Sequence, residues 1–191
     1  SFSPNGSLVA GLWLEPAESD AEPPAGSQKQ PDRSSALIWD AATGDLLQTI
    51  AGLEMGGDAS PAQRTSFDAN GRRLAIATMA TFSAVVHDVR TGARLAELAP
   101  ADPERDTWGW SEVAWSPTGD LLAAAQANIV RIYDAATLRY LYLISDHTAW
   151  ITKLEWSADG TRLLTAGGEG TARLWRLDRE AAHPLLTLSG H

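Results

Sequence analysis

Cysteine is absent from the 191 residues, which removes disulfides, thiolate zinc sites, iron–sulfur clusters and a cysteine nucleophile in one step. Basic side chains are scarce: 15 Lys and Arg stand against 24 Asp and Glu, a formal charge of −9. An acidic surface repels phosphate backbones and anionic headgroups, so neither nucleic acid nor a membrane is an expected partner. No apolar run approaches the ~20 residues that a transmembrane helix needs. Catalytic signatures are missing as well, with no Gly-x-Ser-x-Gly elbow, no His-Glu-x-x-His and no Walker-type phosphate loop. The glycine-dense stretch Gly167-Gly168-Glu169-Gly170 lies between two strand-like runs, where a hairpin is the better reading than a phosphate cradle. His87, His147, His183 and His191 are scattered without ligand spacing, so neither a metal nor any other cofactor is expected. The chain opens at Ser1 without an initiator Met or a leader pattern and therefore reads as an excerpt. Its compartment is left open, the cytoplasm being favoured.

What is present is a repeat. An aromatic, two small residues and a turn closed by Gly recur as Phe2-Ser3-Pro4-Asn5-Gly6, Phe67-Asp68-Ala69-Asn70-Gly71, Trp115-Ser116-Pro117-Thr118-Gly119 and Trp156-Ser157-Ala158-Asp159-Gly160, at intervals of 65, 48 and 41 residues. Each is followed by an apolar run, by a second run ending in an aromatic-polar pair (Trp39-Asp40, His87-Asp88, Tyr133-Asp134, Trp175-Arg176), by a turn, and by an alternating run such as Leu138 to Leu143. Short runs closed by Asn-Gly, Asp-Gly or Thr-Gly signal strands and hairpins, because Gly supplies the positive φ of the tight turn. Counting the run before each aromatic turn, every repeat holds four strands, bounded near 1–51, 60–99, 110–145 and 150–189. The alanine-rich pieces Ala123 to Ala127 and Ala181-Ala182 are too short, and too closely flanked by strand signals, to be read as helix.

The spacing and the sequence of the fourth copy, His147-Thr148-Ala149-Trp150 through Trp156-Ser157-Ala158-Asp159-Gly160 to Leu174-Trp175, resemble the WD-repeat β-propellers. The resemblance implies an all-β fold of four radially arranged, antiparallel, four-stranded blades, used mainly as a platform for other macromolecules. It also implies a buried hydrogen-bond network in each blade, linking a His, a Ser or Thr, an Asp and a Trp. Here that network looks degraded. His147 and Trp175 match, Glu169 stands where Asp is usual, and the hydroxyl position falls on Ala166 or its neighbour Thr165. Repeat three offers Asp106, Ala127 and Tyr133, and repeat two has His87 at the Trp position, so these blades are expected to hold by packing alone. Trp39, Trp115, Trp156 and Trp175 are assigned to packing between blades.

In that register all added length falls on one rim: Glu15 to Ser35, Ala51 to Ser60 and Ala99 to Trp110. The segment 15–35 has few side chains large enough to bury and is expected to be disordered-like. Loops carried on a rigid frame are the usual place for recognition. Trp108 and Trp150, at the start of first strands on this rim, with Arg105 and Asp106 beside them, are the expected partner-binding residues; sealing of a blade joint is the alternative role for both indoles. The reading is a non-enzymatic interaction scaffold or sensor module that binds a protein or peptide, with further blades from a longer chain or another copy alongside. The alternative is a regulatory or substrate-gating domain attached to a protease or signalling NTPase whose active site lies elsewhere.

Overall fold

The computed structural model describes residues 1–14, 33–54, 64–77, 84–98 and 110–189. Among them every regular element is a strand. The first sheet holds β1 (Leu8–Leu14), β2 (Arg33–Asp40) and β3 (Leu46–Glu54). The second holds β4 (Arg64–Phe67), β5 (Arg73–Ala77), β6 (Ala84–Asp88) and β7 (Arg94–Leu98). The third is built from β8 (Trp110–Trp115), β9 (Leu121–Gln126), β10 (Ile129–Asp134) and β11 (Tyr140–Ile144). The fourth follows as β12 (Ile151–Trp156), β13 (Arg162–Gly167), β14 (Thr171–Leu177) and β15 (Ala182–Ser189). Each sheet is an antiparallel meander in chain order. The turns joining first to second strands carry Gly71, Gly119 and Gly160 at φ between +66 and +79, where any side chain with a Cβ is strained.

Four details depart from the sequence reading. The first sheet has three strands, its inner position being held by residues 1–3 through the bridge Phe2↔Val9 and backbone bonds to Leu8 and Ala10. Arg33 to Ser35 and Ala51 to Glu54 belong to strands: Ser34 pairs with Leu53 and donates its hydroxyl to the Leu53 carbonyl at 3.1 Å. Gly52 at φ +75 and the register shift between Ser34 and Ala36 let β2 and β3 continue pairing beyond the point where polar composition suggested a loop. Trp110 likewise opens β8. Leu138 lies in the turn before β11 with φ +58.

The core sits between sheets. Ala10, Ala36, Ile38 and Ile50 of the first sheet close on Phe67, Leu74 and Ile76 of the second. Ala75, Ala84, Val86 and Leu98 close on Trp115, Leu122 and Tyr133 of the third, and Ala123, Val130, Ile132 and Ile144 on Ile151, Leu163 and Trp175 of the fourth. Small residues at the centre of one face receive the aromatics of the next, which sets the spacing of each joint. Register shows the joint recurring. Ile50 faces Ala36, Leu98 faces Ala84, Ile144 faces Val130 and Leu188 faces Ala172. The first three are 3%, 2% and 4% exposed, whereas Leu188, with no sheet following it here, is 51% exposed.

Antiparallel order puts the connections between second and third strands, and those from each fourth strand to the next sheet, on one face; the remaining turns lie on the other. The inner strands are aligned, since Arg64, Glu112 and Lys153 meet near their beginnings while the turns beyond their ends stack. A Cβ at Gly119 would lie 3.2 Å from Ala69 Cβ, and one at Gly160 would lie 2.6 Å from Thr118 Cγ2. The register equivalence predicts unequal mutational costs. Ile144→Ala should destabilise by about 2–4 kcal/mol through the cavity it opens in the third joint, and Leu188→Ala by less than about 1 kcal/mol. Urea midpoints of this chain measure both, and equal losses would mean that the outer face of the fourth sheet is already covered.

Candidate functional site

The third strands end in a carboxylate that organises the following turn. Asp40 Oδ1 accepts from the amides of Ala42 and Thr43 at 2.8 and 2.9 Å; Asp88 and Asp134 accept from the amides of Thr91 and Thr137 at 2.7 and 2.8 Å. In the fourth blade Asp178 does the same for Glu180 and Ala181. The hydroxyls of Thr91 and Thr137, followed by these amides, hold the carboxyls of Asp88 and Asp134 below the ordinary carboxylate value, and the amides do so for Asp40 and Asp178. The effect is local rigidity on the tight-turn face.

The loop-rich face is ordered around His147. One imidazole nitrogen, Nδ1, is hydrogen-bonded to Glu169. The other, Nε2, lies 2.7 Å from Thr165 Oγ1, which also accepts the Trp175 indole N–H at 3.0 Å. Glu169 further accepts from the Thr171 hydroxyl and from the Ala149 amide at 3.2 Å. Thr165, on β13, is the hydroxyl member, and the Glu169 side chain has room because Gly167, where a Cβ would collide with Glu169 and His147, and Gly170, at φ +82, flank it. The four-membered network is therefore complete in the fourth blade. In the second blade, buried His87 hydrogen-bonds through Nδ1 to the Gly92 carbonyl at 3.1 Å, and its Nε2 has no hydrogen-bond partner; burial lowers its pKa. Tyr133 replaces the indole in the third blade and meets Tyr140 edge to face, ring centres 6.0 Å apart.

Trp150 sits on this scaffold. Its carbonyl accepts the Gly168 amide at 2.8 Å, and the adjacent Ile151 amide bonds to the Ala127 carbonyl, also at 2.8 Å. The Asn128 amide group reaches the His147 carbonyl at 2.9 Å. The backbone on either side is thus pinned to both neighbouring hairpins, and the indole is 47% exposed. Trp108, Arg105 and Asp106 lie outside the described residues. Of the other described tryptophans, Trp115 and Trp175 fill joints, Trp156 donates to the Ala114 carbonyl across a joint at 3.0 Å, and Trp39 covers Gly11 of its own sheet, whereas Trp13, near the end of β1, is 57% exposed.

A polar cluster that the sequence reading missed joins three blades at the start of the inner strands. Glu112, buried on β8, lies 2.9 Å from Arg64 Nε of β4 and 3.5 Å from Lys153 Nζ of β12. The signal was a charged residue at each of three corresponding inner strands, legible only once their alignment is known. Burial raises the Glu112 carboxyl despite both cations. Burial acts in the same direction on Glu169, but there the bonds from Thr171 and His147 win and hold it at about 2. The two signs give opposite pH behaviour. Ionised Glu169 stabilises the fold above its ordinary value of 4.5, and that contribution fades as pH falls toward about 2. Charged Glu112 instead costs stability as pH rises through its raised value. Glu169→Gln should therefore flatten the acid limb of the stability–pH curve, whereas Glu112→Gln should cost little at neutral pH, both read from urea midpoints across pH. Thr165→Val, which strands two buried donors or acceptors, should lose about 2–4 kcal/mol.

Residues 138–176 match the family model described as WD domain, G-beta repeat. Nuclear distribution protein PAC1 of Arthroderma benhamiae is 37% identical over 75 residues, 39% of this chain and 16% of that protein. Cilia- and flagella-associated protein 57 of Mus musculus is 32% identical over 69 residues, 36% of this chain and 6% of that protein. Eukaryotic translation initiation factor 3 subunit I of Culex quinquefasciatus is 28% identical over 156 residues, 74% of this chain and 44% of that protein. The chain thus spans less than half the length of each of these curated relatives. Residues 138–176 thus carry a WD repeat, and the four consecutive antiparallel meanders are consistent with β-propeller blades.

Proposed function

We propose that this chain is a non-enzymatic scaffold or sensor module that binds a protein or peptide through its loop-rich face. WD repeats generally mediate contacts between proteins, and the partner is to be sought in that class. The observation that carries the reading is Trp150: a half-exposed indole whose backbone is held by hydrogen bonds to two hairpins, on the face where every long connection starts and ends. An anchor residue fixed before binding loses little freedom on complex formation, and Trp is the residue type most enriched at energetic centres of interfaces. The buried ionisable groups His147, Glu169 and Glu112 are engaged in the bonds that hold blades together, which supports structural roles for them in place of catalytic ones. Further blades, from a longer chain or a second copy, would cover Leu186 and Leu188 of the fourth sheet.

Trp150→Ala tests the proposal in the full-length protein. The expected result is a loss of about 2 kcal/mol, roughly thirtyfold in affinity for the partner that copurifies with the unaltered protein, at unchanged melting temperature. Trp108→Ala is expected to behave alike. A lowered melting temperature with affinity intact in the folded fraction would instead assign these indoles to the joint.

A further inference from the structure

Two successive joints differ at one register position. Arg73 opens β5 opposite Asp88, and Leu121 opens β9 opposite Asp134. In the joint between the second and third blades the Arg73 guanidinium donates through Nε to Asp68 Oδ2 at 2.8 Å and through Nη1 to the Ala135 carbonyl at 2.6 Å, with its carbon 4.5 Å from the centre of the Trp115 ring. One arginine thus fills the notch between two blades on the tight-turn face. It supplies a carboxylate pair, a carbonyl bond and a cation–π contact at once.

Leu121 cannot do this, and the next notch is open. A cleft of about 300 Å³ lies between the third and fourth blades, floored by Leu121 and Leu177 and walled by Asp120, Asp159 and Asp178. Leu177 corresponds to Ala135, since each gives its amide to the carbonyl of the turn residue below it, Thr161 and Asp120 respectively. Arg179, which also lines the cleft, pairs with Asp134 of the third blade at 3.2 Å, and Arg162 stands 3.8 Å from Asp159. His183 is 3.3 Å from Asp178. Asp120 has no cationic partner among the described residues. Three carboxylates of the lining thus stand beside one lining guanidinium, Arg179, which is paired with Asp134, in a cleft whose sister joint is filled by an arginine.

We infer that this cleft receives an arginine side chain from a protein partner, seated between the third and fourth blades as Arg73 is seated between the second and third. The apolar floor suits the methylene stem and the carboxylate walls suit the planar head group. The surface is on the face opposite Trp150, so it stands or falls independently of the function proposed above.

The test uses the full-length protein carrying isotope labels on glycine and threonine amides, titrated with a Gly-Gly-Arg-Gly-Gly peptide. Saturable shifts are expected at Gly160, Thr118 and Thr161. The isosteric citrulline peptide should bind about fivefold more weakly or worse, the worth of an exposed ion pair. Leu121→Arg should abolish the shifts by filling the cleft from within, at a melting temperature equal to or above that of the unaltered protein. Asp120→Asn, an exposed substitution that leaves the joint intact, should weaken binding severalfold and serves if the leucine variant does not fold. Equal response to the citrulline peptide, undiminished binding by both variants, or shifts confined to other glycines would overturn the assignment.

Discussion

The burial of one sheet face by the next is the interaction on which everything else rests. A four-stranded meander has two faces and cannot bury either alone, so each sheet here is stable only as part of a row. The row is held by a recurring match of small or β-branched residues on one face, such as Ala84, Val86 and Ala123, with aromatics on the other, Phe67, Trp115, Tyr133 and Trp175. Because these contacts lie between strands that are distant in sequence, the joints also fix how the loop-bearing ends are presented. Recognition at one end and packing in the middle are consequences of the same stacking.

Polar bonds refine that arrangement unevenly. The fourth blade carries a closed network of His147, Thr165, Trp175 and Glu169, the second has a histidine bonded to a turn carbonyl, and the third relies on two tyrosines. The inner strands are tied instead by Glu112 with Arg64 and Lys153, and the second joint by Arg73. Each device links groups that packing has already brought close. None defines the fold, which is why the blades tolerate different solutions at corresponding positions.

The repeat, the strand order and the positive-φ glycines were legible in the sequence because they depend on local chemistry: an aromatic, a short turn, an alternating run. The complete network in the fourth blade was only half legible. Thr165 and Ala166 are adjacent, and which one points toward His147 is set by the register shift in β12, a pairing property that no local pattern reports. Glu169 reads as a broken member because Asp is usual there, yet its carboxylate reaches His147 from a turn that Gly170 closes at φ +82. Polar neighbours make Ser34 and Leu53 read as loop, whereas the bulge at Gly52 carries the pairing past them. Arg64, Glu112 and Lys153 sit in three separate segments, and only the three-dimensional alignment of inner strands makes them one cluster.

The stacking of the first turns, where Gly160 has no room for even a methyl group against Thr118, has a consequence for how this molecule can change. Residues added to that end would have to push a neighbouring blade aside, so its connections are locked to near their minimum length. At the other end the described contacts between blades, the Ile151 amide on the Ala127 carbonyl and Asn128 on the His147 carbonyl, lie at the strand entries, so length added beyond them does not have to displace a neighbouring blade. A library of grafted loops, or a reporter inserted into the chain, belongs on that end alone, and the same asymmetry channels natural diversification of the protein to one side of the array.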